Sequence, residues 1–239
     1  MRLTKNILAD WRLSRRTVHT GPFRGTFVES YSEGVGKPKW LGTYERELHG
    51  VWEKVLERRP RRLFVIGAAE GYYACALLRL LPGARADAWE ALERERGLIA
   101  TNASRNGVSG RCDVHGFCDR DALREAIART PPDLVIMDIE GGERDLLTAD
   151  VLESLRGAVL VVETHGLDVL EGLRTLVSRT HDIEVIHPEP RTAADWTLPW
   201  YLHATPTLKH HAVQEHRVMP TPWIVAWPRR APGDAGAGA

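Results

Sequence analysis

The sequence contains few cysteines and no long apolar run. Its three cysteines, Cys75, Cys112 and Cys118, are odd in number and lack CxxC spacing. This pattern argues against a disulfide framework and against a structural zinc site. No apolar run reaches the roughly 18 residues that suggest a membrane span, and the N-terminus lacks the apolar stretch of a secretory signal. We therefore expect a cytoplasmic protein with no membrane partner.

A surplus of either charge is also missing. The chain has 32 Lys and Arg residues against 32 Asp and Glu residues, so its formal net charge is zero. Proteins that bind nucleic-acid phosphates usually carry a basic surplus, so no nucleic-acid partner is expected. With 239 residues, 43% of them hydrophobic, the chain is long enough to bury its own core. The expected partner is a small molecule, and the sequence allows a homo-oligomer.

Three regions differ in composition. Residues 1–59 are polar with scattered aromatic residues, and we interpret them as a helical and loop extension covering the ligand side of the main domain. Residues 60–228 form that domain, with residues 189–220 as a lid-like insertion rich in proline and tryptophan. Residues 229–239 are mostly Ala, Gly and Pro, which predicts a disordered tail.

Short apolar runs alternate with amphipathic stretches across the main domain. This pattern predicts a parallel sheet with helices on both faces, whose ligands bind at the carboxyl ends of the strands. The predicted strands cover residues 63–66, 86–89, 112–117, 133–137, 158–162, 183–186 and 223–227. The residues that directly follow these runs are therefore the candidates for function.

A glycine turn follows the first predicted strand. Gly67 and Gly71 are spaced as G-x-x-x-G, not as the G-x-G-x-x-G of nicotinamide-binding turns. Glu90 follows the second strand, 23 residues after Gly67. A carboxylate there can accept hydrogen bonds from both hydroxyls of a ribose, while the alternative is a helix-start glutamate.

Acidic residues also follow the fourth and fifth strands. Asp138 directly ends one apolar run, and Glu163 ends the next, with His165 two residues later. Because neighbouring parallel strands end at the same edge, we expect these three side chains to converge. Such a cluster can supply a general base or hold a hard divalent cation.

Two further groups of candidates leave alternatives open. Asp119 follows the third strand, where it either contacts an adenine amino group or caps the next helix. Trp196, Trp200 and Tyr201 lie in the insertion, where they either line an acceptor pocket or pack beneath a loop.

Five segments together resemble a known family. They read F-V-I-G-A-A-E-G-Y-Y (64–73), A-W-E (88–90), N-A-S-R-N-G (102–107), D-I-E-G-G-E (138–143) and V-E-T-H (162–165). In this order they are similar to class I S-adenosylmethionine-dependent methyltransferases, and most of all to the FkbM-like branch. The resemblance covers about residues 40–166. It implies a Rossmann-like α/β fold with a seven-stranded, mostly parallel sheet whose last strand is antiparallel.

The resemblance also implies roles for individual residues. The implied cofactor-binding residues are Gly67, Ala68, Glu70, Gly71, Glu90, Asp119 and Asp138. Many family members carry an acid two residues before the first glycine, where this chain has Val65. Glu70 is a candidate substitute for that acid.

The expected function is S-adenosylmethionine-dependent methyl transfer to a small-molecule acceptor, at a hydroxyl group. Asp138 and His165 are the candidate bases, and Glu140, Trp196, Trp200 and Tyr201 are the candidate acceptor-binding residues. A Mg²⁺ ion held by Asp138, Glu163 and His165 is an alternative to a base. The competing functions are a nicotinamide-dependent oxidoreductase and a catalytically silent nucleoside-binding module.

Overall fold

The structure is a computed structural model that describes residues 15–29, 36–198, 205–215 and 221–229. Trp200, Tyr201 and almost all of the predicted tail lie outside the described residues, as do parts of the N-terminal extension and of the insertion.

A seven-stranded sheet forms the centre of the molecule. Its spatial order is β3-β2-β1-β4-β5-β7-β6, and all strands are parallel except β7, which runs antiparallel to both β5 and β6. The strands are β1 (Arg62–Ile66), β2 (Arg85–Trp89), β3 (Cys112–His115), β4 (Leu134–Met137), β5 (Val159–Glu163), β6 (His181–Ile186) and β7 (Trp223–Pro228). All seven predicted strands and the antiparallel last strand are thus confirmed.

Helices connect the strands and cover both faces of the sheet. In the described part of the chain they are α1 (Gly36–Leu41), α2 (His49–Arg58), α3 (Tyr72–Leu80), α4 (Glu93–Arg105), α5 (Arg120–Arg129), α6 (Glu143–Leu146), α7 (Ala149–Ser154), α8 (Leu167–Val177) and α9 (Pro206–Val213). Short 3₁₀ turns occur at Arg46–Leu48, Ser109–Arg111 and Ala193–Asp195.

Two apolar cores lie on opposite faces of the sheet. Alternate residues of one strand point to opposite faces, so Leu63 and Val65 of β1 join the core beneath α2, α3 and α4. Phe64 and Ile66 join the core beneath α5, α7 and α8. Since the central strands are buried on both faces, their sequences are continuous apolar runs.

Strand β2 carries a buried charge that its apolar neighbours do not suggest. Asp87 is 1% exposed, and it pairs with the guanidinium of Arg62 on β1 and with His115 Nε2 on β3 at 2.7 Å. Because both partners lie on adjacent strands, the carboxylate is compensated within the sheet. Strand β3 ends at His115, two residues before the predicted end, where its pairing with Trp89 stops.

The N-A-S-R-N-G segment ties the described N-terminal residues to α4. Asn106 Oδ1 accepts from Phe27 N, while its Nδ2 donates to the Phe27 carbonyl, both at 2.8 Å. Asn102 Oδ1 accepts from Glu29 N at 2.7 Å. The two amides thereby satisfy backbone groups that no strand satisfies within the described part of the chain.

The insertion between β6 and β7 packs on the segment that precedes the sheet. Arg191, 7% exposed, forms ion pairs with Glu47 and Glu215. Glu215 Oε1 also accepts a hydrogen bond from Glu45 N at 3.0 Å. The described parts of the insertion are therefore joined to the N-terminal segment by buried charges. None of the described helices is long and apolar enough to cross a membrane.

Candidate active site

A cavity of about 700 Å³ opens at the carboxyl ends of β1, β2, β3 and β4. This volume lies in the usual range for small-molecule sites. Its charged lining residues are Lys39, Glu90, Arg94, Glu95, Asp119, Arg120, Asp138, Glu140 and Asp145, and its apolar ones include Tyr44, Trp89, Leu92, Phe117 and Ile139. The cavity thus lies where the sheet topology predicts a ligand.

The glycine turn forms the floor of the cavity beside β4. Gly67 has φ +77°, and a Cβ built on it would lie 1.7 Å from the carbonyl oxygen of Asp138. Gly71 has φ +83° and packs on Ile99 of α4. The two glycines are therefore required by close packing of the turn against its neighbours, whatever ligand binds. Gly67 and Ala69 line the cavity, whereas Ala68 and Gly71 do not.

Glu90 is held in place by two backbone groups. Its Oε2 accepts from Ala69 N at 2.8 Å and its Oε1 accepts from Leu92 N at 2.9 Å. Each carboxylate oxygen keeps a further lone pair, so the fixed carboxylate can still accept two hydroxyl hydrogens. This geometry fits the predicted ribose contact.

Two exposed apolar side chains flank the predicted nucleoside end. Leu92 is 63% exposed after β2, and Phe117 is 75% exposed after β3. Exposed apolar side chains on a cavity wall offer a surface for a flat aromatic base. Asp119 also lines the cavity, but its Oδ1 accepts from Ala122 N at 2.8 Å as the N-cap of α5. No sequence motif pointed to Leu92 or Phe117, although each lies just past a strand end.

His165 is hydrogen-bonded to a fully buried carboxylate, that of Glu143. His165 Nδ1 lies 2.8 Å from Oε1 of Glu143, which also accepts from Gly141 N at 3.1 Å. Burial favours the neutral acid, but the hydrogen bonds from His165 and from the backbone hold the pKa of Glu143 below its usual value. An ionised Glu143 only accepts, so Nδ1 carries a proton and Nε2 faces the other acids.

Three more carboxylates surround the opposite side of the His165 ring. Its Nε2 lies 3.7 Å from Asp138 Oδ1, 3.3 Å from Glu140 Oε2 and 3.8 Å from Glu163 Oε2. Burial lowers the pKa of His165, but the Glu143 hydrogen bond and the surrounding carboxylates outweigh burial and raise it. Burial and the charge of Glu163 raise the pKa of Asp138 well above its usual value.

The predicted convergence of Asp138, Glu163 and His165 is confirmed. One potential ligand atom from each lies within 4.8 Å of the other two. Two carboxylates and one imidazole fit magnesium or manganese better than zinc. Because Nδ1–H of His165 donates to Glu143, the lone pair of Nε2 can bind either a metal ion or a proton.

Glu70 and Trp196 lie away from the cavity wall. The Glu70 carboxylate is fully buried in an ion pair with Lys39, and Lys39 lines the cavity in its place. Trp196 packs against Leu198 and Val213 in a small separate core and does not line the cavity. Lys39 could not be identified from the sequence, because it lies before the sheet with no motif around it.

The sequence matches no protein-family model and no curated protein. Similarity to solved structures is extensive, however. Precorrin-6y C5,15-methyltransferase from Geobacter metallireducens is 18% identical, covering 74% of this chain and 87% of that chain with a TM-score of 0.50. The fold is that of the class I methyltransferases.

Two further structures have this methyltransferase fold. A putative precorrin-6Y C5,15-methyltransferase domain from Corynebacterium diphtheriae is 20% identical, over 78% of this chain and 98% of that chain, with a TM-score of 0.50. A SAM-dependent methyltransferase from Agrobacterium tumefaciens is 13% identical, over 76% of this chain and 62% of that chain, with a TM-score of 0.52. At these identities the likeness establishes the methyltransferase fold alone.

Proposed function

We propose that this protein transfers a methyl group from S-adenosylmethionine to a hydroxyl of a small-molecule acceptor. The observation that carries the proposal is one cavity lined by a backbone-fixed Glu90 and by Asp138 and Glu140. His165 and Glu163 do not line this cavity, but His165 Nε2 lies behind its wall, 3.7 Å from Asp138 Oδ1 and 3.3 Å from Glu140 Oε2. The methyltransferase fold supports it, and the five motifs support the finer assignment to the FkbM-like branch. Apolar Leu92 and Phe117 fit the adenine.

When bound, S-adenosylmethionine would supply the methyl group of its sulfonium: in-line attack by the acceptor oxygen on the methyl carbon would form the O–CH₃ bond and break the S–CH₃ bond, with S-adenosylhomocysteine as the leaving group. The chain's part is to orient the two reactants and to take up the hydroxyl proton. His165 Nε2 is placed to accept this proton, because Nδ1–H already donates to Glu143. The buried Glu143 carboxylate would stabilise the imidazolium that results, and Glu140, 3.3 Å from Nε2, would contact the acceptor.

Asp138 contributes in one of two ways. With its pKa raised by burial and by Glu163, it accepts a proton at a pH where an ordinary aspartate would not. Alternatively, Asp138, Glu163 and His165 would hold a divalent cation, which would lower the pKa of the acceptor hydroxyl. The convergence of the three ligand atoms is what favours this second account.

Calorimetry with S-adenosylhomocysteine tests cofactor binding. Glu90→Ala removes a charged hydrogen-bond acceptor, so we expect affinity to fall roughly ten-fold or more. Glu93→Ala, at an exposed site outside the cavity, is the matched control and is expected to bind normally. Unchanged affinity in a folded Glu90→Ala variant contradicts the ribose contact.

The competing functions give different results. A nicotinamide-dependent oxidoreductase would be stabilised thermally by NAD(H) or NADP(H) and not by S-adenosylhomocysteine. A silent nucleoside-binding module would bind the cofactor without methylating any acceptor. Thermal shift with both ligands and radiolabelled methyl transfer to an acceptor library together separate the three.

A further inference from the structure

A buried lysine reaches the cavity from outside the sheet. Lys39 lies on α1, its side chain is 5% exposed, and it forms an ion pair with Glu70, whose side chain is fully buried. Its Nζ lies 4.7 Å from the ring centroid of Tyr44 and 5.5 Å from that of Tyr72. Lysine is rarely buried unless it is paired. The Lys39 ammonium has three N–H donors, and the ion pair with Glu70 uses only part of them.

A second buried side chain offers the opposite charge to the same cavity. Glu95, 4% exposed, lines the cavity from the first turn of α4. Its Oε1 accepts from Arg94 at 3.2 Å, whereas its Oε2 is buried and has no hydrogen-bond partner among the described residues. An unsatisfied buried acceptor of this kind is suited to a ligand that brings its own hydrogen-bond donor.

Both groups lie beside the glycine turn, because Lys39 pairs with Glu70 of that turn and Asn102 of α4, the helix that carries Glu95, donates to the Glu70 carbonyl at 2.8 Å. Burial raises the pKa of Glu95, and the negative charges of Glu70 and Glu90 raise it further. The positive charges of Arg94 and Lys39 act in the opposite direction. Glu95 is four residues before Ile99, so both lie on the face of α4 that packs on the glycine turn. The last four residues of β1, Leu63–Ile66, are apolar and buried, so this strand supplies no charge here.

A ligand that contacts both a cation and an anion in one part of the cavity is matched best when it carries one charge of each sign. We propose that Lys39 and Glu95 bind the amino-acid end of an S-adenosyl ligand, Lys39 through its carboxylate and Glu95 through its ammonium. This inference rests on the proposed function. It makes α1, which precedes the sheet, part of the cofactor site, and it leaves Glu70 to hold Lys39 in position.

Two ligands that differ only at this end provide the test. S-adenosylhomocysteine has the amino-acid end, whereas 5′-methylthioadenosine keeps the adenosine and the thioether without it. By calorimetry, Lys39→Met and Glu95→Gln should each weaken S-adenosylhomocysteine binding roughly ten-fold or more. Binding of 5′-methylthioadenosine should change by less than about two-fold in both variants, because neither removes a contact to the nucleoside.

Matched controls separate recognition from folding. Lys54→Met and Glu93→Gln change the same residue types at exposed sites outside the cavity, and both should bind both ligands normally. Because Lys39→Met leaves Glu70 buried without its cation, the double variant Lys39→Met/Glu70→Gln removes both charges. It should show the same selective loss of S-adenosylhomocysteine binding.

Three results would overturn the inference. Equal weakening of both ligands would mean that Lys39 acts on the fold, or that Glu95 contacts the ribose. Unchanged S-adenosylhomocysteine affinity in folded variants would show that neither side chain touches the amino-acid end. A wild-type protein that binds neither ligand would instead contradict the proposed function, and the inference with it.

Discussion

Gly67 lies so close to Asp138 that a Cβ on the glycine would be 1.7 Å from the aspartate's carbonyl oxygen. This contact joins the turn after β1 to the acid after β4. It places the proposed cofactor-binding turn directly against the residue proposed for chemistry. Backbone packing at the carboxyl ends of the strands therefore requires glycine at this position, whatever ligand binds.

Gly67→Ala should destabilise the protein by more than about 3 kcal/mol, because the new methyl group meets backbone and the residue has φ +77°. Gly97→Ala is the control: it lies in α4 with nothing within 4 Å of an added Cβ. That change should stabilise the protein by about 0.5–1 kcal/mol, as alanine favours helix. Urea unfolding of both variants checks the contrast, and similar stabilities would refute this packing account.

Asn106→Ala should cost about 1–3 kcal/mol, because it leaves the N–H and carbonyl of Phe27 without their partner. The described N-terminal residues should become more accessible at the same time. Hydrogen exchange at Phe27 measures this directly. Ser104→Ala, on the exposed face of the same helix, is expected to change neither stability nor exchange. Normal protection at Phe27 in Asn106→Ala would contradict the prediction.

The contribution of His181 to stability should fall as the pH drops below the ordinary histidine pKa, whereas the raised pKa values of His165 and Asp138 act in the opposite direction. His181 is fully buried with Nε2 3.1 Å from the Ala158 carbonyl, and burial lowers its pKa. The unfolded chain therefore takes up a proton near pH 6.5 that the folded chain refuses. This effect costs up to about 1.4 kcal/mol between about pH 7.5 and pH 5.5.

Denaturant unfolding at the two pH values measures that loss. His181→Asn should have a shallower dependence than wild type, although His49, whose pKa burial also lowers, keeps part of it. Ser104→Ala, at an exposed site and without a change in any titratable group, should leave the dependence unchanged. An undiminished slope in His181→Asn would assign the effect to other groups.

His165→Asn should lower kcat by roughly 10²–10⁴, the range expected when a general base is removed. Glu143→Gln should lower it less, because the amide can still accept from Nδ1 but no longer carries the charge that stabilises the imidazolium. Neither change should alter S-adenosylhomocysteine affinity by more than about two-fold if the pair acts on the acceptor. Glu171→Gln, exposed on α8, is the control. Near-normal turnover by His165→Asn would exclude it as the base.

Removal of divalent cations decides between the two accounts of Asp138. If no metal is used, activity after chelation and dialysis should equal that of untreated protein, leaving His165 or Asp138 as the base. If a cation is held, activity should be lost in chelator and restored by magnesium. Restoration by zinc and not by magnesium would contradict both, because the ligand set is rich in oxygen.

The sequence by itself determined the sheet and its ligand edge. Apolar runs such as 133–137 and 158–162 have the length and composition of strands buried on both faces, and that property is local. The acids that follow these runs were therefore placed correctly at one edge, including the convergence of Asp138, Glu163 and His165. The position of Glu90 after the second apolar run, 23 residues beyond Gly67, also predicts it as a ribose contact.

Only the tertiary structure decided which charges meet. Lys39 lies 31 residues from Glu70 along the chain, and their pairing requires α1 to pack on the glycine turn. Glu143 closes the D-I-E-G-G-E segment, yet only the fold brings it to His165, 22 residues away along the chain. The periodicity of apolar residues shows which face of a helix or strand is buried, but not which part of the chain packs against that face. Long-range ion pairs, and the unsatisfied Oε2 of Glu95, therefore emerge only when the elements are packed together.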